Sequence, residues 1–301
     1  IATPSISTGQ RMDNEFNSQL QVGYDKELSK SFTLNTFVGG NIMKSTYSNI
    51  SAGGSQFIVP GFYAVNNTKS LSRGYDKSDK EFNSLFGSVE LGFNKYLFLS
   101  VTGRNDWFST LNPETNNIFY PSFGLSYVLS QSVELPAWIS YAKLRGAWAK
   151  TGSDASVAPY SQALSYGFGN TYMGQATAYV SSGGIPNTLL QPAVTRSWEA
   201  GFDLKFLQDR AGVDFTVYNR LTSNDILTSQ ISATSGFSSV SLNTGKMRNT
   251  GVELLLTGTP VRYGKTSWDM SFNLGYNKNR VLELVDGQDL IVMQQSRPGL
   301  Y

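Results

Sequence analysis

Apolar and polar residues alternate with a period of two along ten stretches of the chain. At 17–24, Leu20, Val22 and Tyr24 take one parity while Asn17, Gln19 and Gln21 take the other. From residue 32, Phe32, Leu34, Thr36 and Val38 oppose Thr33, Asn35 and Gly39. The pattern returns at 81–94 (Leu85, Val89, Leu91), 97–107 (Leu97, Leu99, Val101) and 118–129 (Phe119, Phe123, Leu125, Tyr127). It is less clean at 139–151 (Ala142, Leu144, Trp148), then clear again at 197–206 (Ala200, Phe202, Leu204) and 211–221 (Val213, Phe215, Val217). The last two stretches are 249–259 (Val252, Leu254, Leu256) and 267–278 (Met270, Phe272, Leu274, Tyr276). Side chains alternate between the two faces of a strand, so the pattern predicts an all-β chain with strands at these positions.

Alternation alone fits a soluble sandwich as well as a membrane barrel, since both have one apolar face. Three further observations favour the barrel. The apolar parities carry no charge, whereas the opposite parities carry Glu90, Arg104, Lys143, Arg145, Glu199, Asp203, Lys205, Asp214, Arg220, Glu253 and Asp269. Short links at 27–30, 95–96, 207–210 and 260–266 alternate with long ones at 42–80, 108–117, 152–196 and 222–248, with 130–138 intermediate. Up-and-down outer-membrane barrels alternate tight periplasmic turns with long outer loops in this way. Finally, Trp107, Trp138, Trp148, Trp198 and Trp268 fall near inferred strand ends, where a bilayer interface favours indole rings.

Composition narrows the function. Charged residues make up 15% of the 301, against roughly a quarter in soluble domains. Net charge is +2, which leaves no electrostatic footprint for nucleic acid. There is no cysteine and no histidine, which removes disulfides, thiolate chemistry, the commonest metal ligand and every His-based triad. No run of about 18 apolar residues offers a transmembrane helix. Asp106 with Glu114, or Asp154 alone, are conceivable acid–base groups, but nothing joins them to a nucleophile. Residues 112–117 are too poor in alternating oxygen ligands for a calcium loop. Neither catalytic residues nor a metal or cofactor are therefore expected. The chain opens on Ile1, which reads as a mature or partial chain.

Function is then expected in the lumen and the outer loops. Residues 160–179 hold Tyr160, Tyr166, Phe168, Tyr172 and Tyr179 among small polar residues, and 57–63 hold Phe57, Phe62 and Tyr63. Aromatic rings among amides and hydroxyls suit sugar faces or peptide segments, and they equally suit loops packing on one another. Tyr160, Tyr166, Phe168, Tyr172 and Tyr179, with Trp107 and Phe108 at the mouth of the fourth strand, are the candidate substrate- or partner-binding residues.

Five segments carry a family resemblance. They are Val101, Gly103, Arg104, Asp106 and Trp107 followed by Tyr120, Pro121 and Ser122; Leu144, Arg145 and Gly146 through Thr151 and Gly152; and Trp198, Glu199, Gly201 and Asp203 leading to Tyr218 through Leu227. The other two are Asn249 through Glu253, and Asn273 through Val281 with Asn277, Lys278 and Asn279. In order and spacing across about 100–284 they resemble the SusC/RagA-type TonB-dependent receptors. On the residues alone, Gly201 and Gly251 relieve crowding in a curved wall, and Glu199, Asp203 and Glu253 are placed to pair with Lys or Arg on neighbouring strands.

The resemblance implies import of oligosaccharides or peptides across the outer membrane of a Gram-negative bacterium. Energy would come from TonB through a plug, and a SusD-like surface lipoprotein would cap the mouth. It also implies a barrel of about 22 strands. Nothing in residues 1–301 resembles a plug or a closing strand, so the chain reads as about ten staves, from the middle to the later part of the wall. Residues 296–301 read as the start of another outer loop. A passive porin and a secreted β-sandwich binding module are the alternatives.

Overall fold

The computed structural model describes residues 4–154, 157–180 and 183–284. Ten long strands follow one another in a single antiparallel sheet: β1 (Ser5–Glu27), β2 (Phe32–Phe57), β3 (Thr68–Phe93), β4 (Leu97–Phe108), β5 (Asn117–Val128), β6 (Ile139–Ser153), β10 (Ala193–Phe206), β11 (Ala211–Gln230), β12 (Ser239–Tyr263) and β13 (Thr266–Glu283). Between β6 and β10 lie β7 (Tyr166–Phe168), β8 (Ala178–Val180) and β9 (Gly184–Ile185). β7 and β8 form their own small hairpin, and β9 joins the large sheet beside β12.

The register aligns the apolar parity of every strand into one belt. Val22 pairs with Val38, Leu91 with Leu99, Leu99 with Leu125, and Phe123 with Trp148. Across the rest of the sheet Leu144 pairs with Phe202, Phe202 with Phe215, Phe215 with Leu254, and Leu254 with Leu274. Many of these side chains stand exposed, Leu20 at 75% and Leu274 at 52%. A sandwich would need a second sheet over this face, and among the described residues the only other sheet is the β7–β8 hairpin. Lipid is the partner the belt requires.

Aromatic rings mark both borders of the belt. On the short-turn side Phe32 meets Phe93 at 4.9 Å, Phe93 meets Tyr96 at 5.5 Å and Tyr96 meets Tyr127 at 5.9 Å. Trp138 stacks on Phe206 at 5.6 Å on the same side. At the other border Trp148 pairs across the ladder with Trp198. About ten residues separate the two girdles on β6. At roughly 3.3 Å per residue and a tilt of about 40°, they cover about 25 Å, the height of an outer-membrane apolar band. Trp148 and Trp198 therefore mark the end of the belt, while their strands run on.

Strand length is the main correction to the sequence reading. Segments 42–80 and 222–248, expected as loops, are mostly strand. β2 and β3 remain paired from Phe32↔Phe93 up to Phe57↔Thr68, which leaves 58–67 as the link. β11 and β12 remain paired up to Gln230↔Ser239. Above the belt both faces meet water, so no apolar period is required. Residues such as Ser45, Thr46, Ser48 and Asn49 keep the backbone ladder without the signature. The alternation of short and long links holds: 28–31, 94–96, 129–138, 207–210 and 264–265 lie at one end, and 58–67, 109–116, 154–192 and 231–238 at the other. Residues 296–301 lie outside the described residues.

Candidate binding surface at the loop end of the wall

On the polar face, charge is held by bonds that cross strands. Arg145 of β6 reaches over β10 to Asp214 of β11, with Nη2 donating to Oδ1 at 2.6 Å and Nη1 to Oδ2 at 3.2 Å. Nη2 also donates to the Thr216 hydroxyl at 2.6 Å. Gly201 leaves the gap that this path uses. A Cβ there would lie 2.5 Å from the Phe215 carbonyl oxygen and 3.2 Å from Arg145 Nε. Gly251 has the same role under the Tyr218 ring, whose Cζ would be 2.5 Å from an added Cβ. The relief of crowding expected at both glycines is what the geometry shows. Glu199, Asp203 and Glu253, expected to pair with neighbouring cations, make no ion pair among the described residues.

Where the strands leave the belt, an apolar cluster closes the base of the loops. Phe108, Leu111, Ile118, Tyr120, Val157, Leu190, Val194 and Ile226 are all buried, and Phe82 packs against them. Phe82 and Phe108 meet edge-to-face at 5.3 Å. A polar clasp sits beside the cluster. Asp154, whose side chain is 5% exposed, accepts from the Thr110 hydroxyl and lies 3.3 Å from Lys80 Nζ. That ammonium in turn stands 4.6 Å over the Phe82 ring. The clasp ties the start of the 154–192 segment to β3 and to the 109–116 loop.

The far limb of the same segment is fixed independently. β9 runs parallel to β12, with Gly184 opposite Ser239 and Ile185 opposite Val240. Asn187 donates to the Ser241 carbonyl at 2.8 Å. Asn243 accepts from Gln191 N at 2.9 Å and donates back to its carbonyl at 2.8 Å. Between the two anchors stands the β7–β8 hairpin, held by its own ladder.

The sequence candidates fall into three environments. Phe108 is buried in the cluster at 6% exposure, and Trp107 beside it continues the outward parity of Leu99 and Val101. Tyr166, Phe168, Tyr172 and Tyr179 ride on the hairpin and its tip, all strongly exposed, Phe168 at 88%. Tyr160 stands apart from them at the rim of two cavities. One, of about 530 Å³, lies between 157–165, the β9 limb and the tops of β11 and β12. The other, of about 390 Å³, is bounded by Lys44, Asp79, Lys80 and Glu81. The sequence reading missed the contributors from β11 and β12, because Ile226, Thr228, Ser239 and Ser241 lie in a stretch expected as loop.

An antiparallel sheet with a charge-free belt facing lipid, aromatic girdles at both borders and charged residues confined to the other face is the wall of an outer-membrane β-barrel. Residues 2–293 match the family described as TonB dependent receptor-like, beta-barrel, and the chain belongs to that family of receptors. TonB-dependent receptor P39 of Formosa agariphila is 25% identical over 290 residues, covering 90% of this chain and 26% of that protein. TonB-dependent receptor SusC of Bacteroides thetaiotaomicron is 27% identical over 219 residues, covering 68% and 21%. The chain thus spans about a quarter of the length of the curated relatives it matches. Among solved structures, the RagAB peptide importer in its closed-closed state superposes with a TM-score of 0.82 at 20% identity, over 96% of this chain and 32% of that one. The Escherichia coli outer membrane transporter YddB gives 0.60 at 10% identity, over 90% and 34%. At these identities the structural likeness is one of fold.

Proposed function

We propose that this wall and its outer loops serve an importer that carries large nutrients, oligosaccharides or peptides, across the outer membrane. TonB drives the import through a plug formed by other residues, and a SusD-like surface lipoprotein meets the outer mouth. The curated relatives named TonB-dependent receptor and SusC, and the solved peptide importer, support this reading. One observation on this chain carries it: the 154–192 segment is anchored at both limbs and holds exposed rings and two cavities at the mouth.

On this reading Tyr160, Tyr166, Phe168, Tyr172 and Tyr179 contact cargo or lipoprotein, whereas Phe108 seals the loop base and Trp107 belongs to the outer wall. Deletion of 160–179 from the full-length protein tests it. Nutrient uptake is expected to fall while the barrel stays folded, judged by its heat-dependent gel mobility. Unchanged uptake would dispose of the loop's role. Disrupting TonB in the same cells is expected to stop uptake, whereas a passive pore would go on conducting.

A further inference from the structure

The larger cavity beside Tyr160 has a lining of one chemical kind. Its volume, about 530 Å³, lies within the range of small-molecule sites. Val157, Leu190 and Ile226 supply apolar surface, Thr228 and Ser239 supply hydroxyls, and Asn187 supplies an amide. No described lining residue is charged. The adjoining cavity is the opposite, with two lysines and two carboxylates around it. Pro159 and Tyr160 are the residues common to both.

Backbone bonds define two walls of the neutral cavity. The pairing of β9 with β12 fixes one side, and the Val157 N–H bonded to the Asp154 carbonyl at 2.8 Å fixes the start of the other. Tyr160 is held at φ +64°, a conformation that L side chains rarely adopt, and its carbonyl accepts from Ala163 N at 3.1 Å. Tyr160 is 66% exposed, and its hydroxyl has no hydrogen-bond partner among the described residues. An aromatic at the rim, with an apolar floor and hydroxyls and an amide held by their neighbours around it, matches a pyranose: Ser239 bonds the Gly183 carbonyl, Thr228 the Ser241 hydroxyl, and Asn187 the Ser241 carbonyl. A pyranose ring has a C–H face to lay on an aromatic and equatorial hydroxyls to bond at its edge. A carboxylate or ammonium seated there would meet no opposite charge in the described lining.

We propose that this cavity seats one uncharged sugar unit of a glycan cargo, with Tyr160 as its stacking wall. The proposal rests on the import reading and narrows its cargo. Full-length receptor in detergent would be titrated with neutral hexasaccharides of α-glucan, β-glucan, mannan and xylan type, and with a tryptic peptide mixture, by calorimetry or native mass spectrometry. At least one hexasaccharide is expected to bind. Tyr160→Ala should weaken it about tenfold and Tyr160→Phe less than about threefold, as loss of ring stacking rather than of the hydroxyl requires. Ser165→Asp, which places a carboxylate in the neutral lining, should weaken it at least as much as Tyr160→Ala. Unaltered heat-dependent gel mobility certifies that each variant is folded. Binding of peptides alone, binding of no hexasaccharide, or equal binding by wild type and Tyr160→Ala overturns the proposal. Growth of a gene-deletion strain on polysaccharide and on peptide media keeps the two readings apart. A growth defect on peptide alone leaves import standing and removes the sugar site, and no defect on either removes import itself.

Discussion

The lower half of each stave and the upper half are made by different constraints. In the belt, lipid forbids charge on one face, so the sequence must alternate and every neighbour must carry the same parity at the same height. Above the Trp148–Trp198 pair, water reaches both faces, and the strands are kept by their ladders, by a buried clasp and by the cluster around Phe108. The belt therefore depends on a pattern that single residues can violate. The rim depends on particular contacts that single residues can remove.

A charge placed at equivalent parity in the two halves separates them most strongly. Val89 lies in the belt between Thr36 and Val101, while Tyr75 lies far above it on the same face of β3. Val89→Arg is expected to cost about 2–4 kcal/mol in reversible unfolding of the full-length protein in lipid, by depth in the bilayer. Tyr75→Arg should stay within about 0.5 kcal/mol, as surface substitutions do. Equal effects would show that the belt does not face lipid.

Next comes glycine at sites that differ in crowding. Gly201→Ala sets a methyl against the Phe215 carbonyl and across the path of Arg145, and is expected to cost about 2 kcal/mol. Gly146→Ala, where the nearest atom to an added Cβ is the Glu199 carbonyl oxygen at 3.8 Å, should remain near neutral in the same assay.

These positions also show what could be read in advance. The ten staves, their order and the crowding at Gly201 and Gly251 were legible, because lipid and close backbone approach leave residue-level marks. The Arg145–Asp214 pair was not, since its partners are separated by a whole strand and only the gap at Gly201 hints at it. The upper strands were invisible because they carry no apolar period. The cavity went unseen with them, as its walls come from β11, β12 and a β9 of two residues. Phe108 looked like a loop aromatic, and only the fold shows it among buried neighbours.

The clasp gives a smaller, local effect. Asp154→Asn leaves the Lys80 ammonium beside a neutral amide, with Lys80 itself 25% exposed and so partly solvated. A loss of about 1–2 kcal/mol is expected. It should appear as opening of the anchored segment rather than as global unfolding. Limited proteolysis within 157–180 should quicken about tenfold while the unfolding midpoint of the barrel holds. A shift of that midpoint with unchanged cleavage would mean that the clasp belongs to the wall and not to the rim.

The smallest expected difference is one of pH, and it follows from where the carboxylates stand. Above the belt, the Glu81 carboxylate accepts from the Asn83 amide at 3.0 Å and pairs with Lys44 at 3.0 Å, and both contacts hold its pKa below the ordinary carboxylate range. Asp79 is lowered likewise, chiefly by the Thr46 hydroxyl at 2.8 Å and further by Lys77. A carboxyl whose pKa is depressed in the folded state adds stability above its unfolded pKa and loses it as pH falls through the folded value. The paired tops of β2 and β3 should therefore loosen below about pH 4. The effect should be slight, because both groups are open to solvent. Amide hydrogen exchange, corrected for its intrinsic pH dependence, should show lost protection at 44–48 and 77–81 on going from pH 6 to pH 3.5. The belt segments 97–101 and 213–217 carry no acid on their lipid face and should keep their protection. Asp79→Asn with Glu81→Gln should abolish the pH response of the upper ribbon. A response that survives in that double variant would place the titrating groups elsewhere and break the assignment of these two contacts to the rim's own stability.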